Sequence, residues 1–106
     1  MIYLSTYLKN KYKSYIEKQA QELTMLDKRV NKIKNCGLNQ KLLEISYKDK
    51  SGNKTKRLVE PYKLIGDDFW GFDITKDEIR RFKTKNIKGI KETKKPFDAR
   101  WDIQIN

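Results

Sequence analysis

The stretch from Lys41 to Phe97 constrains this chain most, because from Lys41 onward the period turns strand-like and short runs are broken by frequent turn residues. Leu43, Ile45 and Tyr47 alternate with Glu44, Ser46 and Lys48, the pattern of a half-buried strand. Asp49 to Asn53 reads as a hairpin loop in which Gly52 supplies a positive φ. Lys54 to Glu60 returns as a second strand, and Pro61, which has no N–H to give to a ladder, marks an edge or a bend. Tyr62 to Ile65 forms a third short extended piece. Gly66-Asp67-Asp68 turns the chain into an aromatic strand, Phe69 to Thr75, with Gly71 at a bulge or a close approach. Ile79 to Thr84 is another strand, and Ile87 to Lys91 a short strand or helical turn. Trp101, Ile103 and Ile105 alternate and are expected to close the sheet. Many short strands with frequent turns point to a small β-barrel or sandwich.

Residues 2–35 are different in kind. They contain no Gly or Pro and read as one long helix, or two short ones with a break between Asn10 and Ser14. Ile16, Leu23, Leu26, Val30 and Ile33 follow a heptad-like rhythm that extends upstream to Tyr12. Gln19 interrupts the stripe, which suits either packing on the chain's own sheet or pairing with a second copy in a homodimer. Asn35-Cys36-Gly37 is the expected stop, with Gly37 just past the helix end. The reading is therefore α+β: a helical segment over 1–37 followed by a five-stranded antiparallel barrel domain over 38–106.

Charge narrows the partners. Lys and Arg number 25 against 14 acids, a net charge of +11 in 106 residues. A basic excess of this size draws polyanions at long range, and nucleic acid is the usual one. The excess is shared by both segments rather than confined to a tail. A single cysteine, Cys36, and no histidine exclude an intrachain disulfide, a Cys/His zinc site and any Ser-His or Cys-His catalytic pair. No cofactor or metal is expected. Without a signal peptide's apolar core or a membrane-length apolar run, a cytoplasmic protein is the expectation.

Arg57, Arg80 and Arg81 are the leading binding candidates, since the guanidinium fork matches a phosphate group. Arg80 and Arg81 point to opposite faces of a strand, so only one shares a surface with Arg57. The competing reading is that Arg80 and Arg81 both pair with Asp67, Asp68, Asp73 or Glu78 as surface ion pairs worth little. Lys56 and Lys83 add charge, and Tyr62 and Trp70 offer rings on which a base could stack. The Lys-rich stretch from Lys83 to Lys95 would touch phosphates or simply face solvent. Asp73 or Asp77 with Glu92-Thr93-Lys94 loosely imitates a metal-dependent nuclease, but the supporting helix–sheet pattern is missing, so no enzyme is expected.

In this order the motifs resemble the WYL domain family, over roughly Leu42 to Phe97. The carriers are Ile45-Ser46-Tyr47, Arg57-Leu58-Val59-Glu60-Pro61-Tyr62, a loose Phe69-Trp70-Gly71 match to the Trp-Tyr-Leu signature, and Ile79-Arg80-Arg81-Phe82. Where the family usually continues to an Arg-Ile pair, this chain has Asn86-Ile87. The resemblance implies an Sm-like or SH3-like barrel that binds nucleic acid or a nucleotide-like effector through basic surface residues, by the family match with Arg80. The segment before the barrel is too short for the winged helix-turn-helix that precedes it in many relatives, which favours a small accessory or phage-type protein. The alternative is a protein-binding regulator or inhibitor that grips a host protein through its helix or barrel edge.

Overall fold

The computed structural model describes residues 13–105, with side chains described outside 13–16 and 22–27. Helix α1 spans Lys13–Leu38. Five strands follow: β1 Lys41–Lys48, β2 Lys54–Ile65, β3 Asp68–Asp73, β4 Glu78–Lys83 and β5 Ile87–Pro96, with a 3₁₀ turn at Thr84–Asn86 before β5. All neighbours in the sheet are antiparallel, in the order β4-β3-β2-β1-β5. The first four strands form a meander, and β5 then crosses back to the free side of β1.

The sheet is open: β4 and β5 are its edges and do not pair with each other. Hydrogen bonding therefore does not close the expected barrel. Side chains draw the sheet round instead. The Tyr47 ring on β1 meets the Phe82 ring on β4 edge-on at 5.1 Å between centroids, and the Lys83 backbone N–H donates to the Tyr47 hydroxyl at 3.3 Å.

Pro61 lies inside β2, a central strand, and joins Lys54–Glu60 and Tyr62–Ile65 into one element. A bulge between Pro61 and Lys63 accommodates the missing N–H and bends the strand. Across from it Gly71 permits close approach: a Cβ there would meet Val59 Cγ1 at 2.2 Å and the Glu60 carbonyl oxygen at 3.0 Å. Gly37 is likewise a packing residue rather than a cap, since its Cβ would meet Ile105 Cδ1 at 2.5 Å. The helix runs past it to Leu38, and the left-handed residue that turns the chain into β1 is Gln40, at φ 52°.

Both faces of the sheet are covered. On one, Ile33 and Cys36 of α1 join Leu43, Ile45, Val59, Phe69, Phe82 and Ile87 in the main core, with Ile105. The last turns of α1 thus pack on their own sheet, and the Lys32 ammonium reaches the Ile90 carbonyl at 3.4 Å. Each fully buried Ile or Phe contributes about 1.5–3 kcal/mol. Burial pushes the Cys36 thiol pKa up, as befits a structural thiol. The proposed break near Asn10 and the side chains of Tyr12, Ile16, Leu23 and Leu26 lie outside the described residues.

On the other face Leu42, Tyr62, Phe72 and Phe97 form a second, smaller core. The segment after β5 covers it. This segment does not close the sheet as expected: it makes a single parallel bridge, Lys63 to Gln104, and lies across the strands as a clasp. Arg100 fastens it, with Nε 3.2 Å from Glu60 Oε1 and its guanidinium 4.1 Å above the Phe72 ring. The Arg100 backbone N–H donates to the Tyr62 hydroxyl, which donates in turn to the buried Glu60 at 2.6 Å.

Candidate nucleic-acid interface

Where a closed barrel would have been sealed, a basic groove of about 780 Å³ opens between β4, the tip of the β1–β2 hairpin and the start of β5. Lys48, Lys50, Arg80, Arg81, Lys83 and Lys88 line it, against two acids, Asp49 and Glu78. The elements that supply these cations follow from local sequence. The hairpin closes on Gly52 at φ 85°, with Asp49 capping the turn through its carboxylate and backbone. Strand β4 follows a turn held by Asp77 at φ 56°.

The cations are not equally available. Lys83 Nζ is 2.6 Å from Asp68 Oδ1 and 3.8 Å from Asp67 Oδ1. Its hydrogen bond holds the Asp68 carboxyl below the usual carboxylate range, and Asp68 pushes the Lys83 ammonium up in return. Arg80 Nε lies 3.0 Å from Glu78 Oε1, with both side chains well exposed. Among the described residues Arg81, Lys48, Lys50 and Lys88 make no ion pair.

Arg57 is elsewhere. It is 6% exposed, on the helix-covered face, and its Nη1 donates to Asp73 Oδ2 at 2.9 Å while Nε donates to Thr55 Oγ1 at 3.1 Å. Asp73, 0% exposed, spends its other oxygen on the backbone N–H groups of Thr75 and Lys76. The guanidinium that the sequence offers to a phosphate is thus consumed by a carboxylate on the neighbouring strand β3. The register does place Arg80 on the same sheet face as Arg57, through Asp73–Glu78 and Gly71–Arg80, but at the edge rather than beside it. Lys56 is exposed, 4.0 Å from Glu44, and does not line the groove.

Arg81 falls on the opposite face, directly across from Trp70, whose other cross-strand partner is Lys63. A basic–aromatic–basic row therefore crosses β2, β3 and β4, and the Lys63 ammonium stands 5.3 Å from the centre of the Trp70 ring. Tyr62 is buried rather than free for stacking. Burial pushes its hydroxyl up to about 12, with the Glu60 carboxylate adding to the effect and the Arg100 N–H opposing it. The residues that sequence reasoning left out are Lys48, Lys50, Ile79, Arg100 and Trp101. Lys48 ends β1 and Lys50 lies within the hairpin turn, and Arg100-Trp101 is an Arg-aromatic pair that fastens the clasp.

An open antiparallel sheet with a basic groove at its unsealed edge defines a small α+β domain suited to an anionic ligand. The WYL domain family model matches residues 28–92, more than half of the chain, and this protein belongs to that family. The proteasome accessory factor B/C (PafBC) of Arthrobacter aurescens is similar in structure, with a TM-score of 0.63 at 14% identity over 76% of this chain. The chain spans 14% of that protein's length. No curated protein matches the sequence. Among the described residues no helix is long and apolar enough to cross a membrane.

Proposed function

We propose that this WYL domain is a non-enzymatic regulatory or accessory module that binds nucleic acid, or a nucleotide-like anion, in the groove beside β4. One observation carries the reading: six cations converge on that groove against two acids. Charge arranged in a concave, partly apolar setting concentrates a polyanion more than the same charge spread over a convex surface. Arg80 and Arg81 supply forked donors, and Lys48, Lys50 and Lys88 supply point charges along the same trough. Arg57 belongs to the scaffold in this reading. Asp73, one of the two carboxylates that the nuclease pattern could use, has both oxygens engaged with Arg57 and the backbone. An accessory role accords with the name borne by the structural neighbour.

Fluorescence anisotropy tests the proposal with labelled single-stranded DNA, single-stranded RNA and duplex DNA across a salt series. Binding that falls steeply with salt, and that weakens in Arg80→Ala/Arg81→Ala, is the expected result. Each lost phosphate contact reduces the salt slope by about one unit. Binding indifferent to both arginines would remove the groove from the account.

A further inference from the structure

Both tryptophans of the chain line one cleft. Trp70 comes from β3 and Trp101 from the clasp that crosses the same face, and the space they border holds about 340 Å³. Its lining is mostly apolar, with Ile79 at the β4 side and Asp102 and Gln104 at the rim. Trp101 is not a loose side chain. Its ring meets Tyr62 edge-on at 5.2 Å and 79°, and lies 6.0 Å from Phe72. It is nonetheless 47% exposed, and Ile79 is 55% exposed. A fold that needed these side chains only for its core would have closed the gap, because interiors pack to crystal-like density.

The surroundings limit what it can hold. Ligand sites run from about 300 Å³ upward, so this cleft admits one small ring system and little more. Lys63 stands over Trp70, and Arg81 faces Trp70 across the ladder, so cations flank the aromatic walls. Asp102 at the rim repels a phosphate from the cleft itself, yet with Gln104 it can meet the donors and acceptors on a base edge. Ile79 borders both this cleft and the basic groove. Strand β4 is thus a ridge one strand wide, with phosphate chemistry on one flank and stacking chemistry on the other.

We propose that the Trp70–Trp101 cleft takes one unpaired base of a single-stranded nucleic acid whose backbone lies in the basic groove. The inference rests on the reading of that groove as a polyanion site and adds the kind of strand it selects. A paired base inside a duplex presents no free face to two tryptophans, so single strands are preferred.

Intrinsic fluorescence is a direct readout, because no other tryptophan contributes. The probes are an oligothymidylate, an abasic oligomer of equal length, and an acidic peptide containing leucine and phenylalanine. The thymidylate quenches wild-type emission, while the abasic oligomer binds without quenching. Trp101→Leu keeps an apolar side chain over Tyr62 and Phe72 but removes the stacking face. It weakens thymidylate binding about tenfold and leaves abasic binding unchanged; Trp70→Leu does the same from the other wall. Equal binding of both oligomers, unaffected by either substitution, would overturn the cleft and leave the groove standing. Failure of both to bind at low salt would overturn the two together. Quenching by the peptide but not by the thymidylate would assign the cleft to a protein partner instead.

Discussion

Two arginine sites, both read from the sequence as phosphate binders, have opposite fates in the structure. At the sheet centre Arg57 is sealed against Asp73 under α1, with every polar partner supplied by the protein. At the β4 edge Arg81 makes no ion pair among the described residues and Arg80 meets only an exposed Glu78. The difference lies in what covers the face. Identical side chains become scaffold where a helix and a carboxylate enclose them, and stay open to solvent and groove where the sheet stops short of sealing.

The contrast breaks most easily at its buried end. Arg57→Met leaves Asp73 charged and buried without its counter-ion, which is expected to cost about 3–5 kcal/mol of stability in a urea titration. Groove binding per folded molecule stays at the wild-type level. A loss of binding with stability intact would return Arg57 to the site. Gly71→Ala tests the same centre by volume. Its new methyl overlaps Val59 and crowds the Glu60 carbonyl, so a loss of about 1–3 kcal/mol or more is expected by thermal denaturation.

A third test uses pH. The Tyr62 hydroxyl is raised to about 12 in the folded chain, above its ordinary value near 10. A raised folded pKa means that the stabilisation is complete below pH 10 and is lost as pH climbs toward 12. On the order of 2 kcal/mol should disappear over that window, and Tyr62→Phe should flatten the decline. An equally steep decline in Tyr62→Phe would assign it to other groups. The smallest effect belongs to the edge: Arg80→Ala/Arg81→Ala should change stability by no more than about 0.5 kcal/mol, because exposed pairs contribute little. A large destabilisation there would erase the distinction between the two regions.

Much of the sheet was legible. Alternation located β1, turn residues and aromatic content located β3 and β4, and Gly52 located the hairpin. Pro61 misled because a proline tolerated at a bulge looks, in sequence, like a strand end. Gly37 misled similarly, since close packing against Ile105 and helix capping both call for glycine. The sheet's closure by Trp101, Ile103 and Ile105 failed because a clasp across a sheet face keeps the same alternation as a strand in it. The burial of Arg57 was half legible. It shares the parity of Val59, and hence the core face, but its partner is 16 residues away on another strand, beyond local pattern. The groove was legible in its β4 residues and in Lys88 of the Lys-rich stretch, whereas Lys48 and Lys50 come to it from the separate β1–β2 hairpin.

The most direct test compares charge at two places with net charge held equal. Arg80→Ala/Arg81→Ala removes two charges from the groove. Lys94→Ala/Lys95→Ala removes two from the exposed end of β5, outside it. Dissociation constants for a single-stranded oligonucleotide are measured for both variants and the wild type across a salt series. The account predicts that the first variant loses at least about tenfold in affinity and about two units of salt slope, while the second stays close to wild type. Equal losses in both variants would show that the chain binds by overall charge alone and that the groove beside β4 is not the site.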